Sequence, residues 1–389
     1  MNGFNRRWVA AFLLLSMCFL SAIFAVQGAL LSAMIDAFAL TSASQGAANA
    51  SAFAGGICAL TLAFLLQGRW KKRALLKAAM ALCSVGLASL CFAPTYGAFT
   101  AIWFPLGFGL GLMDALLSAC MADLYTGDEA TRMMCLLHTA FGLSSVLSPM
   151  GFAALLAGGM PWKRVYLLIA ACGAALILGA AALRRALSIP DPEVLRRERF
   201  SLKQTAADMS GSGLTPLCVG LFFHGIFLSG LNTWINRYAE LLPGGVAVSA
   251  QSCLFLGIML SRLLFPFLSI DVSRYVKAGG LLGCAALAIG LFAGGGVALR
   301  VALVFVGLAI GAMIPCVLTL GCGQMRGNTL LASTALNLAL YLGQAVSSPT
   351  IAALEARFGL RVGICLCAVC MAACSLSCAL GRGPRAAER

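Results

Sequence analysis

The chain has 389 residues and a net charge of +14, with 61% hydrophobic residues and only 10% charged ones, against roughly 25% charged in an ordinary soluble domain. That polar fraction is too small to cover a soluble fold of this length, and the chain carries no GxSxG, HExxH, Walker A or paired CxxC pattern, so no enzyme, cofactor or metal site is expected. The positive charge falls mainly in alternate connections between long apolar blocks, which is a membrane topology signal and argues against a nucleic-acid partner.

Crossing a bilayer core of about 30 Å takes roughly 20 apolar residues at 1.5 Å each. The first block, Trp8–Ile35, is long enough to do this alone. It follows Arg6 and Arg7 but is too long for a signal peptide, and no small-residue cleavage pattern interrupts it. In chain order the predicted spans are 8–36, 47–67, 74–93, 97–123, 132–157, 163–183, 214–236, 248–270, 278–294, 299–319, 329–353 and 359–380. The long connection follows span six and contains Pro190, Pro192 and the charged run Glu193–Arg199. The expected organisation is a six-helix bundle over 1–183, a cytoplasmic linker over 184–213 and a second six-helix bundle over 214–389. Part of the linker can lie as a helix on the membrane face; a regulatory docking site is the alternative.

With the N-terminus placed in the cytoplasm, 20 of the 27 Lys and Arg fall in inside segments, 6 in outside segments, and Arg262 within a span. The expectation is a multi-pass protein of the cell membrane, monomeric in its lipid bilayer, with both ends cytoplasmic. Seventeen Cys sit mostly inside spans, where Cys behaves as a small hydrophobe. The cluster Cys365, Cys367, Cys370, Cys374 and Cys378 is therefore read as packing, since a metal site would need further ligands from other helices.

The halves repeat at a shift of 200 residues. Gly107 meets Gly307, Gly111 meets Gly311, Met113 meets Met313, Ser148 meets Ser348 and Pro149 meets Pro349. Spans four and five thus correspond to spans ten and eleven. Parallel halves of this kind place a solute site between them near the bilayer midplane.

A polar group inside hydrocarbon is a functional candidate by default. In span four, Gly107, Gly111, Asp114 and Ser118 share one predicted face. Asp114 is the candidate proton-coupling group, with a structural hydrogen bond to a neighbouring helix as the alternative. In span eleven Asn337, Tyr341, Gln344 and Ser348 form a second stripe, whose amides and hydroxyls suit a polyol because they both donate and accept. Asn232 and Trp234 in span seven, Gln27 in span one and Trp103 in span four complete the candidate solute contacts. Trp234 can stack on a sugar ring or anchor the membrane interface. His138 can relay protons, bind solute or make a structural hydrogen bond. His224, lone and in mid-span, is as open. Arg262 can gate or pair, or its long stem can snorkel.

These residues resemble the major facilitator superfamily, and within it the fucose–galactose–glucose:proton symporter branch. The segment Gly109–Asp114 is similar to the span-four motif that carries the branch's protonatable acid. Leu137–Gly142 followed by Ser148 and Pro149 resembles its LHxxFG…GP stretch, and Trp162–Tyr166 its WRxxY. Trp234–Tyr238 resembles WxxxY, Gly257–Arg262 resembles GxxxGR, and Gly311–Pro315 the span-ten glycine–proline motif. Three positions depart from the pattern. Gln27 stands near where the branch has a span-one acid, Ser118 and Ala119 stand where Asn-Pro is usual, and Gly68–Arg73 lacks the Asp of the superfamily's gating motif. The resemblance implies an all-α integral membrane protein of twelve transmembrane helices, in the major facilitator fold of two pseudo-symmetric six-helix halves. It implies a transporter rather than an enzyme, moving a small solute, a sugar or polyol, with protons as coupling ion through Asp114 and His138. Arg69 and Arg262 would then gate it. An exporter of amphipathic compounds is the alternative, motivated by the Phe- and Met-rich spans; a non-transporting sensor is a third reading.

Overall fold

The computed structural model describes residues 3–40, 47–65, 70–182, 202–243, 250–325 and 328–381. Among them all regular structure is helical. In chain order the α-helices are α1 (Gly3–Ala29), α2 (Leu31–Phe38), α3 (Ala47–Leu65), α4 (Lys72–Cys91), α5 (Tyr96–Leu124), α6 (Gly127–Ala157), α7 (Trp162–Ala182) and α8 (Leu202–Ser212). They continue as α9 (Leu214–Glu240), α10 (Ala250–Leu264), α11 (Val272–Ala293), α12 (Gly296–Ile310), α13 (Met313–Gln324), α14 (Thr329–Phe358) and α15 (Leu360–Ala379). Among the described residues eleven helical stretches are long and apolar enough to cross a membrane, α12 and α13 counting as one, and α3 supplies a shorter apolar helix over Ala50–Leu65.

Two expected spans are each two helices. Span one divides at Leu30 into α1 and α2, and span ten divides between Ile310 and Met313 into α12 and α13. Of the expected linker, residues 202–213 are described, and 202–212 form α8. Local chemistry sets several ends. The Thr95 hydroxyl accepts from the Ala98 N–H (3.2 Å) to cap α5, and the Asp271 carboxylate accepts from the Arg274 N–H (2.8 Å) to cap α11. Gly294 ends α11 in the left-handed region at φ 69°, where a Cβ would be strained.

The chain falls into two compact units. Unit 1 comprises Met1–Tyr125, Leu137–Phe200 and Gly327–Thr334; unit 2 comprises Thr126–Leu136, Ser201–Arg326 and Ala335–Arg389. Within unit 1, α5 packs against α1, α3 and α4, and α7 against α1 and α4. Within unit 2, α12 packs against α10 and α11, and α15 against α9 and α11.

The closest packing in each unit uses the repeated glycines. A Cβ on Gly107 would fall on the Ala52 backbone, one on Gly111 on Gly56, and one on Gly55 on the Phe104 carbonyl. In unit 2 the same pattern returns: Gly307 faces the Leu254 carbonyl, Gly311 the Ile258 carbonyl, and Gly257 the Val304 carbonyl. Bare backbone lets α3 lie on α5, and α10 on α12, near enough for dispersion contacts that no larger residue permits. Hydroxyls bridge another seam in each unit. Ser21 donates to the Phe141 carbonyl (2.7 Å) and Ser144 to the Cys18 carbonyl (2.9 Å) in unit 1; Ser347 donates to the Ile226 carbonyl (2.7 Å) in unit 2. None of the seventeen cysteines forms a disulfide. Cys367, Cys370, Cys374 and Cys378 are buried along α15, where Cys378 fills the space beside Gly220.

Candidate functional site

In unit 1 the four residues of the predicted α5 face differ in burial and contacts. Gly107 and Gly111 are spent on the seam with α3, and Ser118 is fully buried. Asp114 is half-buried and has no hydrogen bond or ion pair among the described residues. Structural carboxyls buried in a bundle find donors. One left without a donor within a membrane span is expensive to keep, which sets Asp114 apart from the paired polar groups of unit 1.

Trp103 lies elsewhere. It is 1% exposed and packs on Phe99 (centroids 6.4 Å apart), in a cluster with Phe38, Tyr96, Trp162 and Tyr166. The predicted solute contact is thus part of unit 1's aromatic core, although its indole N–H is buried without an acceptor. The same core absorbs the two aromatics of Trp162–Tyr166. His138 is 7% exposed on α6. The side chain of Gln27 and all of Arg69 lie outside the described residues.

Beside Arg69, the structure assigns a role that sequence reading missed. Lys72 is 0% exposed and its ammonium donates to the Asp123 carboxylate (2.8 Å) and to the Thr329 hydroxyl (2.6 Å). Thr329 in turn donates to the other Asp123 oxygen (2.8 Å), closing a three-membered ring within unit 1. Burying two charges costs several kcal/mol per ion, and only tight geometry with added hydrogen bonds offsets it. The segment Gly68–Arg73 has no acid of its own, and Asp123, at the end of α5, is the carboxylate that meets Lys72. One signal was available: Asp123 and Asp114 are the two carboxyls of α5.

In unit 2 the candidate solute residues lie on two adjoining helices. A Cβ on Gly343 would fall on the Phe222 carbonyl, and one on Gly225 on the Leu340 carbonyl, so α9 and α14 touch through backbone. On α14, Asn337 and Tyr341 are buried and Gln344 is half-buried; the Gln344 carbonyl accepts from Ser229 on α9 (3.5 Å). Asn232, exposed on α9, accepts from the Gln251 side chain (2.5 Å). The Gln251 backbone N–H donates to Asn236 (3.0 Å), whose amide returns a bond to Gln251 (3.2 Å). Gln251 was not among the predicted residues, because an isolated amide in the first turn of a span carries no periodic signal. Trp234 is half-buried, with the Arg237 guanidinium 5.7 Å from its ring centroid. Its N–H is buried without an acceptor.

Arg262 has a specific partner. Its Nε donates to the Gly311 carbonyl (2.9 Å) at the break between α12 and α13. In an unbroken helix that carbonyl would accept from residue 315, but Pro315 has no N–H and its ring clashes with that carbonyl. One turn earlier, the Tyr275 hydroxyl accepts from the Ala312 N–H (3.1 Å) and donates to the Leu308 carbonyl (3.5 Å), standing between two groups that would otherwise pair. Side-chain insertion into the helical ladder is a recognised cause of a kink. Freed backbone groups at membrane depth must find such partners. His224, 2% exposed, packs its ring against Phe227 (4.4 Å between centroids).

A family model described as Major Facilitator Superfamily matches residues 12–337. No curated protein sequence matches the chain significantly. Among solved structures, the chain is similar to FucP, a major facilitator transporter in the outward conformation, with a TM-score of 0.77 and 18% identity over 94% of this chain and 97% of that one. It is similar to the proton:xylose symporter XylE bound to 6-bromo-6-deoxy-D-glucose, with a TM-score of 0.74 and 14% identity over 97% and 95% of the two chains. It is equally similar to the human organic anion transporter MFSD10, with a TM-score of 0.76 and 15% identity over 96% and 99%.

Proposed function

The chain belongs to the major facilitator superfamily, and we propose that it moves a small polar solute, a sugar or related polyol, across the cell membrane by alternating access coupled to protons. Asp114 is the observation that carries this reading. A carboxyl on a membrane-spanning helix with no partner among the described residues can bind a proton on one side and release it on the other. Unit 1 then holds the proton chemistry. Unit 2 supplies solute recognition from Asn337, Tyr341 and Gln344 on α14 with Asn232 and Gln251 at the facing ends of α9 and α10, all of which can donate and accept. The likeness to a proton:xylose symporter and to FucP, described in a second structure as the E. coli fucose:proton symporter, supports the same solute class. In this reading the protein is a monomer with both ends cytoplasmic, as the distribution of Lys and Arg supports.

The test has two steps. The purified protein is screened by thermal shift against sugars, polyols, organic anions and amphipathic drugs. The solute that stabilises it is then offered to proteoliposomes under an inwardly directed acid gradient. A sugar or polyol should stabilise the protein and accumulate until a protonophore collapses the gradient. Stabilisation by organic anions or drugs alone, or uptake indifferent to the gradient, overturns the reading. The second reading, an exporter of amphipathic compounds, is favoured by the structural likeness to an organic anion transporter, and those results would select it.

A further inference from the structure

Unit 1 carries an apolar groove of about 240 Å³ that the transport reading does not use. Leu62 and Ala63 of α3, Leu75 and Ala78 of α4 and Phe108 of α5 line it. Trp70, 60% exposed, stands at its mouth. The lining offers no set of polar groups to hold water, which needs two to four polar partners. Its natural occupant is a hydrocarbon chain.

The mouth of the groove is basic. Residues 71–77 contain Lys71, Lys72, Arg73 and Lys77, and no Asp or Glu occurs between Asp36 and Asp114. Lys72 is already taken by Asp123. Lys71 is exposed, and its ammonium has no hydrogen bond or ion pair among the described residues. It precedes Leu75, Ala78 and Leu82 of the groove wall by four, seven and eleven residues, the spacing of one helical stripe, and so stands at the head of that wall. Clusters of four to eight Lys and Arg beside a spanning helix attract anionic headgroups, and Trp70 supplies an aromatic side chain of the kind that sits at headgroup level.

We propose that this groove is a binding site for one anionic glycerophospholipid, with an acyl chain seated between α3 and α4 and its phosphate on Lys71. The site is separate from the solute residues and does not depend on which solute is carried. Leu330 also lines the groove, next in sequence to Thr329 of the Lys72–Asp123 ring, so a bound chain lies close to that ring.

The test uses the full chain purified in detergent and titrated with phosphatidylglycerol or with phosphatidylcholine of the same acyl chains, read by native mass spectrometry. One phosphatidylglycerol should be retained per chain in preference to phosphatidylcholine. Lys71→Gln should weaken phosphatidylglycerol about fivefold and leave phosphatidylcholine unchanged, while Lys77→Gln, off the stripe, costs less. Ala78→Phe fills the groove and should weaken both lipids, and glycerol phosphate without chains should not compete. Unfolding midpoints confirm that each variant is folded. Equal retention of the two lipids, or wild-type affinity in Lys71→Gln, overturns the headgroup assignment. Wild-type affinity in Ala78→Phe overturns the groove.

Discussion

α5 of unit 1 and α12–α13 of unit 2 occupy equivalent places in the sequence repeat, yet one is a continuous helix and the other is broken. Both lie on a neighbour through glycines at matching positions, Gly107 and Gly111 on α3, Gly307 and Gly311 on α10. They part immediately afterwards. Where α5 has Asp114 and Ala115, the second copy has Ile314 and Pro315; where α5 has Asp123, it has Gly323. The first copy stays one helix in spite of Pro105 and carries two carboxyls, one paired with Lys72 and one with no partner among the described residues. The second interrupts the ladder at the Leu308 and Gly311 carbonyls, where Tyr275 from α11 and Arg262 from α10 supply the partners. The seam between helices is what the repeat preserves, and the chemistry beyond the seam is where the halves specialised.

The largest effect is expected at the paired carboxyl. Lys72→Met leaves Asp123 buried without its cation and should lower stability by about 3–5 kcal/mol. The double variant Lys72→Met with Asp123→Leu should recover most of it, measured as unfolding midpoints in detergent. A double variant as unstable as the single one would mean that the ring is not what holds the end of α5.

The shared seam gives an equal pair of effects. Gly107→Ala and Gly307→Ala each drive a methyl into a backbone carbonyl, and each should cost about 1–3 kcal/mol. If one is neutral and the other is not, the two seams are not equivalent and the comparison breaks.

The break in unit 2 gives a coupled effect. Arg262→Met leaves the Gly311 carbonyl unpaired and should cost about 1–3 kcal/mol. In a Pro315→Ala background residue 315 regains its N–H, so the same substitution should cost less. Amide exchange at residues 311–316 should slow in Pro315→Ala. Additive costs, with exchange unchanged, would show that Pro315 does not cause the break.

Much of this was legible before the fold was known. The apolar blocks, the glycine repeat and the family resemblance anticipated the membrane-spanning helices, because hydropathy and close backbone packing leave periodic marks in sequence. The break in α12–α13 left only Pro315 as a mark; that Tyr275, some forty residues away, enters the ladder depends on tertiary placement. The Lys72–Asp123–Thr329 ring was hidden for the same reason, with partners separated by up to 257 positions. Trp103 is ambiguous in another way. An aromatic within a span reads equally as a solute contact or as core, and its packing on Phe99 is visible only in the fold.

The most direct test of the account is Asp114→Asn, which keeps the side chain's size and removes its titration. Wild-type and variant proteins are reconstituted at equal density and measured twice, once for solute exchange at equal pH and once for accumulation under an acid gradient. The variant should exchange solute at close to the wild-type rate and accumulate none. Accumulation equal to wild type would contradict the assignment of proton coupling to Asp114.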